Sequence, residues 1–101
     1  MRLNEREKKI IRDAVTETFG SAARVRLFGS RVDDAARGGD LDLLVECPGE
    51  PDGAGLRAAR LAALIQLKMG MPRKIDVLTA WPGAQLSSVH RVALAEGAEI
   101  V

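Results

Sequence analysis

The sequence predicts a small α+β (α/β) fold, a mixed sheet with helices on one face and an open, carboxylate-bearing opposite face. Three observations predict it. The stretches "ARVRLFG", "DLDLLVEC" and "RKIDVLT" alternate with the two-residue period of half-buried strands. The segments between and before them carry apolar residues at helical spacing. The second phase of every strand bears charge, Arg24 and Arg26, then Asp40 and Asp42, then Asp76. A sheet covered on one side and wet on the other accounts for all three.

The elements follow in order. Residues 4–19 place Ile10, Ile11, Ala14, Val15 and Phe19 on one helical face, Asn4 and Glu7 have the spacing of a capping box, and Gly20 stops the helix. Strand one spans 24–28. Strand two spans 40–47, with Leu41, Leu43, Val45 and Cys47 on one face and Asp40, Asp42, Leu44 and Glu46 on the other. "CPGEPDGAG" is turn chemistry. The Ala- and Leu-rich helix 55–69 ends at Gly70. Strand three places Ile75 and Val77 on one side, Asp76 and Leu78 on the other. After "WPG" a last helix is expected over 84–96, closed by Gly97, then a short apolar tail "AEIV".

The chain has 101 residues, enough for one domain over 1–101 with a core of its own and little room for a second lobe. With 47% hydrophobic residues and a net charge of +1, neither a disordered tail nor a basic nucleic-acid binder is indicated. Cys47 has no second cysteine to pair with, which fits a reducing compartment. "MRLNEREKK" lacks the apolar region of a secretory signal, and no apolar run reaches membrane-spanning length. A cytoplasmic location is expected, without membrane or nucleic-acid partners.

Two carboxylates at i and i+2 of a strand project to the same side about 6 to 7 Å apart and repel unless a cation lies between them. Hard divalent ions, Mg²⁺ or Mn²⁺, suit such all-oxygen ligands. Asp76 is the expected third ligand if strand three lies beside strand two, and three carboxylates suffice for a pair of ions and in-line chemistry at phosphorus. Glu46 lies two pleats further along and is not counted. Gly29 lets phosphate approach the backbone, and Ser30 adds a hydroxyl and an N–H at the start of a short helix expected over 30–36. Arg31 has two readings of equal weight, a contact to triphosphate or a loop charge. No Walker loop or G-x-G-x-x-G occurs.

"GSRVDDAARGGDLDLLV" followed by "KIDVL" resembles the nucleotidyltransferase superfamily of the DNA polymerase β type, with Gly-Ser, a spacer, Asp-x-Asp and a later carboxylate. The size resembles the minimal nucleotidyltransferases, MntA-like antitoxins of HEPN/MNT toxin–antitoxin pairs. The resemblance runs from about residue 3 to the end and implies the nucleotidyltransferase fold. It implies that Gly29 and Ser30 hold the β- and γ-phosphates and that Asp40 and Asp42 bind both metals. Asp76 would bind one metal and help deprotonate the acceptor hydroxyl. Many members carry Ser before the first aspartate, where this chain has Gly39.

The resemblance implies AMP transfer from ATP to a hydroxyl of a small helical HEPN-type protein. The alternative is a non-catalytic nucleotide-binding partner that neutralises by protein contact. Antibiotic modification would need a C-terminal domain that nothing after residue 79 is long enough to form. His90 reads as a helix-flank residue, Trp81 as a loop anchor, and Arg57, Arg60, Arg73 and Lys74 mostly as solvated charges. The tail and the Ala-rich helix would leave apolar surface for a homo-oligomer or the helical partner.

Overall fold

A computed structural model describes residues 4–27, 41–70, 74–86, 91 and 98–99. Helix α1, Glu5–Phe19, starts at the expected capping box. The Asn4 side chain accepts from the Glu7 N–H at 2.8 Å, and the Asn4 N–H donates to Glu7 Oε1 at 3.0 Å. Two otherwise orphaned donors are thereby satisfied, and Glu5 and Glu7 place negative charge at the positive end of the helix. Ile11, Ala14 and Val15 are buried. At Gly20 the backbone reaches φ 99°, a conformation that only glycine adopts without strain, and its N–H closes the helix on the Thr16 carbonyl.

Strand β1 is Arg24–Leu27 and β2 is Leu41–Glu46. Helix α2, Ala54–Met69, follows a left-handed Gly53 and ends at left-handed Gly70. Strand β3 is Ile75–Ala80, and Ala98–Glu99 forms a two-residue β4. The sheet order is β3-β2-β1-β4. β2 runs antiparallel to β1, and β4 antiparallel to β1. β3 runs parallel to β2, so the chain must cross over between them, and α2 makes that crossing.

Both helices lie on one face of the sheet. The main core joins Ile11, Ala14 and Val15 of α1 and Leu61 and Ile65 of α2 to Val25, Leu27, Leu41, Leu43 and Val45. Each fully buried side chain of this kind contributes about 1.5–3 kcal/mol. Cys47 belongs to the same core, and burial pushes its thiol up, with the Arg57 charge opposing. Its place in the core and the direction of that shift fit a packing residue. Trp81 packs against this cluster, which supports the loop-anchor reading.

Three findings go beyond or against the sequence reading. The polar face carries a second apolar cluster, in which buried Leu44 and Ala80 pack with Leu78 and Leu86, so this end of the face is partly covered. The last helix does not begin at Ala84. Residues 84–86 are non-helical because Pro82 and Gly83, at φ 87°, turn the chain, the Ala84 N–H closes on the Trp81 carbonyl, and Leu86 is drawn onto the second cluster. Arg91 is helical, whereas His90, Gly97 and the rest of that expected helix lie outside the described residues, as does Arg73. Part of the apolar tail, Ala98–Glu99, is a strand on β1.

Arg57 is more than a solvated charge. Its Nη1 donates to the Thr18 carbonyl at 2.7 Å and its Nε to the Asp52 carbonyl at 2.6 Å. The last turn of α1 has no basic residue of its own, and Arg57 supplies that cation from α2. Arg57→Met is expected to destabilise the fold by about 1–2 kcal/mol, read as a lower urea midpoint at unchanged m.

A candidate carboxylate site on the open face

The site is built at the parallel β2/β3 pair. In that register Leu41 pairs with Ile75, Asp42 with Asp76 and Leu43 with Val77. Parallel neighbours in register point to the same side of the sheet, with backbones about 4.8 Å apart. Leu41 and Leu43 are buried toward the helices, so Asp42 and Asp76 between them project onto the opposite face. Asp42 is half-buried and Asp76 exposed. The Leu41 N–H donates to the Lys74 carbonyl at 2.8 Å, pinning the two strands together at the carboxylate end.

Glu46 lies four positions along β2 from Asp42, about 13 Å away. Arg26 Nε donates to Glu46 Oε1 at 2.7 Å, with both side chains about one-quarter to one-third exposed. The carboxylate is thus engaged by an arginine across the sheet. The sequence showed Arg26 and Glu46 on one face, but their diagonal pairing depends on the antiparallel register that sets Arg24 against Glu46 and Arg26 against Leu44.

Of the residues expected at the site, Asp42 and Asp76 are brought side by side. Gly29, Ser30, Arg31, Asp40 and the short helix over 30–36 lie outside the described residues. Among the described residues no group of three acidic, histidine or cysteine donors is assembled, and Asp40 is the residue expected to complete one. Two carboxylates on adjacent strands, Asp42 half-buried and Asp76 exposed, are oxygen donors of the kind a hard divalent cation takes, with its remaining ligands water or phosphate. Cavities among the described residues lie elsewhere. One, of about 240 Å³, sits beside Glu46, Cys47, Trp81 and Leu86, and another, of about 430 Å³, lies between α1 and α2 on the helical side.

Among the described residues no helix is long and apolar enough to cross a membrane. Residues 8–94 match the family model of the nucleotidyltransferase domain. No curated protein matches the chain.

Proposed function

The chain belongs to the nucleotidyltransferase domain family, and from that membership and the carboxylate pair we propose that it moves AMP from ATP to a hydroxyl of a protein acceptor. Nucleotidyl transfer in general follows from the family. The donor, the acceptor and the metal are the finer reading, and the observation that supports its metal part is the register that sets Asp42 beside Asp76 on one face.

In this reading Asp40, Asp42 and Asp76 hold two Mg²⁺ or Mn²⁺ ions, while Gly29, Ser30 and Arg31 receive the triphosphate tail. The ions, when bound, would lower the charge at the α-phosphate and on the leaving pyrophosphate. An Asp76 carboxylate oxygen takes the proton of the acceptor hydroxyl. The hydroxyl oxygen bonds to the α-phosphorus, and the bond from that phosphorus to the bridging oxygen breaks. Pyrophosphate leaves with the electron pair. Asp42, half-buried in mid-sheet, is the fixed wall of the site, and exposed Asp76 is the group open to the incoming acceptor.

The acceptor proposed is a small HEPN-type helical toxin encoded beside this chain, silenced by the modification. Support comes from the open face, since Asp76 is reachable by a protein side chain without any movement of the described elements. Incubation of the chain with ATP, Mg²⁺ and the product of the neighbouring gene is expected to raise that product's mass by one AMP per modified hydroxyl. An unchanged mass with every nucleoside triphosphate would overturn the reading.

A further inference from the structure

Helix α2 buries Leu61 and Ile65 and leaves a second stripe on its far side. Leu56, Arg60, Ala63 and Leu67 fall within about 60° of one another around the helix and about 150° from the buried pair. All four are exposed, Leu56 at 59% and Leu67 at 78%, the exposed large hydrophobic residues among those described. The stripe borders the cavity of about 430 Å³ whose other wall is Glu17 and Thr18 of α1. Among the described residues neither Arg60 nor Glu17 has an ion-pair or side-chain hydrogen-bond partner, although both line that cavity.

The stripe is self-complementary. An antiparallel pair of α2 helices centred between residues 61 and 62 sets Leu56 against the second copy's Leu67, and Arg60 against the second copy's Ala63. The small Ala63 leaves room for the arginine stem, and the helices can approach closely. Such a pair also brings the two Arg60 side chains near the axis, where like charges repel unless each finds an anion. Glu17 lines the same cavity as Ala63 and can receive the second copy's Arg60 there, and the symmetry repeats the contact.

We propose that the outer face of α2, with Glu17 of α1, is the interface of a twofold dimer of this chain, closed by Leu56–Leu67 packing and reciprocal Arg60–Glu17 pairs. The helices separate this interface from the carboxylates, so each copy keeps its catalytic face open. The proposal stands independently of the acceptor.

Sedimentation velocity over a wide concentration range tests it. The native chain is expected to dimerise. Leu67→Glu, at an exposed position, is expected to leave a folded monomer by circular dichroism. Glu17→Arg and Arg60→Glu are each expected to weaken association about tenfold, and the double swap to restore it. A Leu56→Cys/Leu67→Cys chain is expected to form an intermolecular disulfide on mild oxidation, since the two positions lie about 16 Å apart within one helix and cannot bridge internally. A native chain that stays monomeric to millimolar concentration overturns the proposal. So does a dimer indifferent to Leu67→Glu, or a double swap no better than the single ones.

Discussion

Asp42→Asn is expected to lower nucleotidyl transfer by about 10²–10⁴-fold, measured as label from α-labelled ATP appearing on the acceptor. The substitution keeps the shape of the side chain and removes its charge, so it tests electrostatics at the site. Asp76→Asn should lose activity in the same range, because its carboxylate is proposed to hold cation and take the proton. Glu46→Gln is the matched control. It lies on the same strand face and removes the charge of the Arg26 pair, at a cost of about 1 kcal/mol in stability, yet it should keep most of the activity. Activity in Asp42→Asn within a few fold of the native rate would leave a neutralising role without catalysis as the better account.

Leu43→Ala is expected to have the largest effect on stability. Leu43 has no exposed surface and sits in the middle of β2, between Leu27 of β1 and Val77 of β3 and beneath both helices. Truncation removes apolar contact and opens a cavity that a sheet paired on both sides cannot collapse to fill. The cost should be about 3–5 kcal/mol, a large part of the roughly 5–15 kcal/mol that holds a domain together. The melting temperature should fall by roughly 15–30 °C. Leu67→Ala on the open stripe should change the stability of the monomer by no more than about 0.5 kcal/mol. Thermal circular dichroism of the two variants checks the contrast.

Local signals proved legible where the physics is local. The Asn4–Glu7 box depends on groups three residues apart and appears as the spacing predicts. Gly20 and Gly70 end their helices with backbone angles that other residues resist. The phases of β2 and β3 announced which side chains share a face, and the parallel register aligns Asp42 with Asp76. What escaped depends on distant partners. Arg57 reads as an ordinary helix charge until Thr18 arrives beside it, and Ala98–Glu99 is too short to show any period. Leu44 and Leu78 interrupted the polar phase of their strands, and that irregularity was the visible trace of the second cluster. The Gly-Ser turn and Asp40 fall outside the described residues, so their expected roles rest on motif and family.

The parallel β2/β3 pair also has a consequence for how the molecule assembles. Antiparallel β1 and β2 are separated in the chain by residues 28–40, whereas β3 can reach β2 only after the chain has travelled the whole of α2. Asp42 and Asp76 therefore become neighbours through one of the most entropically expensive closures in the chain. Their approach adds like-charge repulsion to that step. A denatured or half-folded chain does not bring Asp42 and Asp76 together, and no isolated hairpin does so. Transfer activity should thus vanish along the same denaturation curve as the helical signal, which makes this enzyme's own turnover a reporter of its complete folding.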